Sequence, residues 1–181
     1  AAVKTDGSLW ICGYNGSGAL GNGSVVRYSS PIQVGALTNW KQVSCSPNGT
    51  TAAIKTDGTL WTWGYNNNGA LGQNDVNRRS SPVQVGALTN WKLISVLQYA
   101  MVAIKTDGTL WTWGRNVQGQ LGTNDTIYRS SPVQVGAGTT WNSISSAGTC
   151  CIASKTNGTL WSWGRNDIGG PLGQNDTAHR S

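Results

Sequence analysis

The stretch KTDGTLWTWG occupies residues 55–64 and returns unchanged at 105–114, with close variants at 4–13 (KTDGSLWICG) and 155–164 (KTNGTLWSWG). The leading lysines, Lys4, Lys55, Lys105 and Lys155, are spaced by 51, 50 and 50 residues. A fixed period of that length marks one supersecondary module per repeat, each burying its apolar face against the next. The repeat is therefore the fold. The unit boundaries fall near 1–28, 29–79, 80–129 and 130–181.

Within one unit the pattern is that of short strands. Pro82–Gly86 alternates apolar and polar residues, with the proline at the strand start where a missing N–H costs least. Trp91–Ser95 follows as a second strand, and Ala100–Lys105 is apolar almost throughout, as a strand buried on both faces requires. Thr106-Asp107-Gly108 is a turn: glycine permits positive φ and aspartate bonds its own backbone. Leu110–Gly114 is the next strand, with Trp111 and Trp113 on one face. No segment has a helical period.

Four short strands per unit with glycine-rich turns predict an all-β chain, a partial β-propeller of four-stranded antiparallel blades; a solenoid of hairpins is the structural alternative. Three columns of tryptophan favour the propeller, because sheets stacked face to face need bulky wedges. These are Trp61, Trp111 and Trp161; Trp63, Trp113 and Trp163; and Trp40, Trp91 and Trp141. A long loop such as Asn66–Asp75 is expected between blades, with Leu20, Leu71, Leu121 and Leu172 plugging the core; its last copy, Asn166–Gly173, carries an extra residue. Asp75, Asp125 and Asp176 in these loops read as turn caps, since one carboxylate per loop is too few for Ca²⁺.

Composition narrows the function classes. Charged residues make up 11% of the chain, against roughly 25% in an average soluble protein. The net charge of +6 is spread over the lysine column and an arginine column, Arg79, Arg129 and Arg180, read as solvated turn positions; this spacing argues against the concentrated footprint of nucleic-acid binding. The four cysteines share no column and form no metal-binding spacing, so free, buried or half-buried thiols are expected. The single histidine, His179, has no nucleophile or carboxylate pair around it in sequence. A non-catalytic chain without cofactor or metal is the expectation, with no membrane-inserting segment. The Asn/Thr/Ser-rich surface suggests an extracellular or virion setting. The chain reads as an excerpt of a longer polypeptide that supplies the rest of the propeller.

The order WxWGxNxxGxLGxNDxxxRSSPVQVG, followed by a Trp-led strand and AIKTDG, resembles the regulator of chromosome condensation repeat family over the whole chain, in three and a half units. The resemblance implies a seven-bladed propeller for a complete member. It also implies functions as different as guanine-nucleotide exchange on a small GTPase, UV-B sensing and β-lactamase inhibition, so the fold does not choose among them. The Gly-x-x-His segment of typical members is replaced here by three unrelated stretches, 45–51, 96–101 and 146–151, and the variant behind UV sensing is missing as well. Variable tips on a fixed scaffold are how binding faces are built. Asn48, Gln98, Tyr99 and Thr149 are the candidate recognition residues, and Tyr14, Tyr65 and Tyr99 are candidate platforms for a sugar. The expected function is a structural or recognition module that binds other protein subunits or surface glycans, in a phage tail fibre or bacterial surface protein; the alternative is an exchange-factor-like regulator of a small GTPase.

Overall fold

The computed structural model describes residues 1–167 and 170–181. Among them are fourteen strands and no helix, so no helix is long and apolar enough to cross a membrane. The first sheet holds β1 (Ala2–Val3), β2 (Leu9–Gly13) and β3 (Tyr28–Gln33). The second holds β4 (Trp40–Cys45), β5 (Thr50–Lys55), β6 (Leu60–Gly64) and β7 (Arg79–Gln84). The third repeats it with β8 (Trp91–Val96), β9 (Ala100–Lys105), β10 (Leu110–Gly114) and β11 (Arg129–Gln134). The fourth holds β12 (Trp141–Ala147), β13 (Cys150–Lys155) and β14 (Leu160–Gly164), extended by a bridge from Gly164 to Arg180. Every pairing is antiparallel and every sheet is a meander.

One strand belongs elsewhere than its place in the repeat suggests. Arg79–Gln84, the strand at the head of its unit, pairs backward with β6, Trp61 opposite Gln84 and Gly64 opposite Arg79. It is the fourth strand of one sheet and not the first of the next. The loop 65–78 accordingly joins two strands of one sheet, but it leans on the next sheet.

The KTDGT turn forms from local chemistry. Asp57 Oδ1 accepts from the backbone N–H of Thr59 at 2.9 Å and from its hydroxyl at 2.7 Å, and that hydroxyl in turn accepts from Trp61 Nε1 at 2.9 Å. Gly58 has φ of 79°, and a Cβ there would run into the carbonyl of Thr89, so glycine is required. The same set of bonds recurs at Asp107 and, with an amide in place of the carboxylate, at Asn157.

The core is divided into three layers, one between each pair of successive sheets. Leu9 and Ile11 of the first sheet meet Trp40, Ala53 and Trp63 of the second; Ala52, Ile54 and Leu71 meet Ile94, Met101 and Trp113; Val102, Leu110 and Leu121 meet Cys151, Ala153 and Trp163. Trp63 and Trp113 are wholly buried and Trp163 nearly so, as their column predicts. Each reaches backward across the layer: the indole N–H groups of Trp63, Trp113 and Trp163 donate to the carbonyls of Ala19, Ala70 and Gln120 at 2.8, 2.8 and 3.0 Å. A buried indole wants an acceptor, and the preceding loop supplies it. Leu20, Leu71 and Leu121 follow these carbonyls directly and are buried, as is Leu172 in the last loop.

An asparagine organises each long loop. Asn66, fully buried, accepts from the Leu71 N–H at 2.8 Å and donates to the carbonyls of Asp75 and Asn77 at 3.1 and 2.9 Å. Asn15, Asn116 and Asn166 do the same work in their loops. Of the longer last loop, residues 168 and 169 lie outside the described residues. The first strands of successive sheets are cross-linked too. Gln42 exchanges hydrogen bonds with the backbone of Ile94, and Ser44 accepts from the N–H of Val96.

Candidate recognition surface

Antiparallel meanders put the hairpin tips 46–49, 97–99 and 148–149 at the same end as the long loops, and the KTDG turns at the other. The tips touch from sheet to sheet. The N–H of Gln98 donates to Gly148 O at 2.7 Å, and the rings of Tyr65 and Tyr99, from adjacent sheets, lie 5.6 Å apart at a tilt of 51°. The residue that stretches one period to 51 lies in the first of these tips, between β4 and β5.

Arginines stack on the same tyrosines. Arg27 lies 4.8 Å from the Tyr14 ring, Arg78 5.1 Å from Tyr65, and Arg115 5.5 Å from Tyr99. A guanidinium held flat on an aromatic ring keeps its edge N–H groups free for a partner. Among the described residues none of these three arginines pairs with a carboxylate, whereas Arg165 is held by Asp167. The end face is thus aromatic and cationic.

The sequence-derived candidates occupy this end in different ways. Tyr99 is half-buried in the tyrosine–arginine stack, and Gln98 is half-buried beside it with its backbone tied to the neighbouring tip. Asn48 is half-buried, its Nδ2 enclosed without a hydrogen-bond partner. Thr149 contributes chiefly its carbonyl, which accepts from the N–H of Arg165 at 3.2 Å. Tyr14 and Tyr65 stand in the same row, Tyr14 more than half exposed. His179, at the repeat position of Arg27 and Arg78, is a loop acceptor, its Nδ1 receiving the N–H of Asn166 at 3.0 Å.

Several side chains have roles that differ from their sequence reading. The arginine column is not simply solvated: Arg79, Arg129 and Arg180 each clasp the loop aspartate four residues earlier, Asp75, Asp125 and Asp176, at 2.6, 2.7 and 2.5 Å. The first unit loses both partners together, with Ser24 and Tyr28 in their places, and that pairing was the signal available in sequence. The lysine column is not a row of solvated turn positions either. Lys55 and Lys105 are almost completely buried against indole rings. The four thiols are free, yet Cys12 and Cys45 are exposed and only Cys151 is buried. Burial pushes the Cys150 and Cys151 thiols up from their ordinary value, which suppresses thiolate chemistry there. Among the described residues no three His, Cys, Asp or Glu side chains gather as a metal site.

Antiparallel sheets of three or four strands, stacked face to face, define an arc of a β-propeller. The chain belongs to the regulator of chromosome condensation repeat family: the family model described as "Regulator of chromosome condensation (RCC1) repeat" matches residues 6–53, 57–98 and 107–154, and a second model of that description matches 40–70. Among solved structures, human WBSCR16 superposes with a TM-score of 0.86 at 20% identity, covering 98% of this chain and 48% of that one. Prp20p from Saccharomyces cerevisiae, whose crystal structure is described together with its binding to Gsp1p and histones, superposes with a TM-score of 0.80 at 20% identity over 96% of this chain and 44% of that one. The probable E3 ubiquitin-protein ligase HERC4 of Mus musculus is 31% identical over 93 residues, 50% of this chain and 9% of that protein. The chain spans less than half the length of each of these proteins.

Proposed function

We propose that this chain is part of a protein-binding regulatory propeller that engages its partner through the hairpin-tip end. The observation that carries the proposal is the row of Tyr14, Tyr65 and Tyr99, contributed by successive blades, each bearing an arginine that has no carboxylate partner among the described residues. Tyrosine and arginine are the residues that dominate protein interfaces, because each offers a large, stiff surface with a polar edge. Unpaired guanidinium edges suit an acidic partner surface. A tip surface of this kind works by recognition and needs no nucleophile of its own.

Exchange-factor-like action on a small GTPase is the specific form that family membership favours, since the Gsp1p-binding Prp20p shares the fold. Placement in a virion or on a bacterial surface, and a glycan partner, rest on composition alone. Release of labelled GDP from a panel of small GTPases tests the regulatory form, with binding measured in parallel. Accelerated release that disappears in the Tyr65→Ala, Tyr99→Ala double variant supports exchange activity. Binding lost in that variant without any acceleration supports a simple binding module. A partner bound equally by the wild type and the variant would move recognition away from the tips.

A further inference from the structure

Toward the end opposite the tips, a groove built on one lysine and two tryptophans recurs between blades, with a leucine–proline wall in two of its three copies. A cavity of about 410 Å³ holds Lys105 with Trp91 and Trp111, walled by Leu88 and Pro132. One of about 300 Å³ holds Lys55 with Trp40 and Trp61, and one of about 360 Å³ holds Lys155 with Trp141 and Trp161. Volumes of this order admit a small organic molecule.

Chemistry singles these grooves out. Lys105 Nζ lies 3.5 Å from the Trp111 ring centroid and 4.8 Å from that of Trp91; Lys55 and Lys155 repeat the arrangement at 3.9 and 5.1 Å and at 4.3 and 4.8 Å. Two indole faces hold the ammonium without consuming its N–H donors. Lys105 is only 5% exposed, yet among the described residues its ammonium makes no hydrogen bond and no ion pair. Asp107 is within range of its charge without contacting it, and Oδ1 of that carboxylate is bonded by the N–H and hydroxyl of Thr109. Burial pushes the Lys105 ammonium below its ordinary value. A second donor is unsatisfied on the wall of two grooves: Trp40 Nε1 and Trp91 Nε1 are buried with no acceptor. A buried donor without an acceptor is uncommon enough to require an explanation.

We propose that these grooves are binding sites for carboxylate-bearing amphiphiles, the carboxylate on the lysine ammonium and an apolar or aromatic body against the outer indole, backed in the Lys55 and Lys105 grooves by the leucine–proline wall. A monoanion is favoured over phosphate or sulfate. The Lys105 groove offers a single cation, and a dianion desolvated there would keep an uncompensated charge. The carboxylate can come from a free organic acid or from the C-terminus of a peptide. Three grooves at one spacing make the chain multivalent for either source.

Isothermal titration with phenylacetate and with uncharged phenylacetamide tests this, alongside an acetylated dipeptide ending in phenylalanine, as free acid and as amide. The acid is expected to bind at least about tenfold more tightly than its amide, a step of about 1.4 kcal/mol. Lys105→Met should remove one site. In the wild-type chain carrying ¹³C-dimethylated lysines, which keep their charge, the acid should shift the resonances of Lys55, Lys105 and Lys155 and leave the exposed Lys41 and Lys92 in place. Tighter binding of phenylacetate than of the dipeptide acid assigns the source to free acids, and the reverse order assigns it to chain termini. Equal affinity for acid and amide, absence of binding by either acid, undiminished stoichiometry in Lys105→Met, or unmoved groove lysines would overturn the proposal. Should Lys105→Met fail to fold, the methyl-lysine shifts decide alone.

Discussion

Replacing Trp113 by alanine probes the layer between blades more sharply than any other single change. The side chain is wholly buried between two sheets, and its N–H closes a 2.8 Å bond to Ala70 O on the preceding blade. An indole buries about 150–250 Å², worth about 4–6 kcal/mol at 25 cal/mol per Å² as an upper bound. Measured Trp→Ala core changes cost about 3–5 kcal/mol. The stranded Ala70 carbonyl adds about 1 kcal/mol more, so Trp113→Ala should cost about 4–6 kcal/mol. Trp111, two residues away on the same strand, is the internal control. It is half-buried and donates only within its own turn, to Thr109 at 2.8 Å, so Trp111→Ala should cost about 1–2 kcal/mol. Urea unfolding followed by far-UV circular dichroism measures both. A loss of this size is a large share of a typical domain's stability, and Trp113→Phe, which keeps most of the volume, guards against complete unfolding. Equal costs at Trp111 and Trp113 would refute the assignment of the second tryptophan as the wedge between blades.

Other expectations follow from single interactions. Asn66→Ala should cost about 2–4 kcal/mol in the same assay, because it strands the buried Leu71 N–H and two loop carbonyls. The hydroxyl and then the N–H of Thr59 hold the Asp57 carboxylate below its ordinary value, and Thr109 does the same for Asp107. With folded values depressed, their contribution is fully present above the unfolded value of about 3.9 and is lost as pH falls through the folded value. The Asp57→Asn, Asp107→Asn double variant, which copies the natural Asn157 turn, should therefore flatten the acid limb of a melting-temperature profile. A thiol reagent should label Cys12 and Cys45 quickly in the folded chain and Cys151 only after unfolding, with mass spectrometry as the readout. Exchanging the tip pair Gln98-Tyr99 for Gly148-Thr149, which spares the buried Val96, Leu97 and Met101, should leave the circular dichroism spectrum unchanged while altering partner binding.

How much of this was open to a reader of the sequence depended on the distance over which each interaction acts. The KTDGT turn was legible because aspartate, glycine and threonine satisfy one another within four positions. The buried Trp63 column was legible because its period repeats with the turn. Strand Arg79–Gln84 could be seen as a strand, but periodicity does not say which neighbour it pairs with, and it pairs backward. Burial of Lys55 and Lys105 was hidden for a related reason. A lysine at a strand end looks solvated until Trp40 or Trp91 is brought against it from another strand of the same sheet. At the candidate site the variable tips stood out as variable. Contact between Tyr65 and Tyr99 depends on the stacking of two blades, which no local pattern encodes.

Hydrogen exchange of the tryptophan indole N–H protons, followed by ¹⁵N NMR, tests the central claim most directly. That claim is that each blade is latched to the one before it by a WxWG indole on a loop carbonyl. The account predicts slow exchange for the Nε1–H of Trp63, Trp113 and Trp163, which are buried on Ala19, Ala70 and Gln120. It predicts faster exchange for those of Trp61, Trp111 and Trp161, whose acceptors are threonine hydroxyls of their own turns. Exchange equally fast in both columns, or slower in the second, would contradict it.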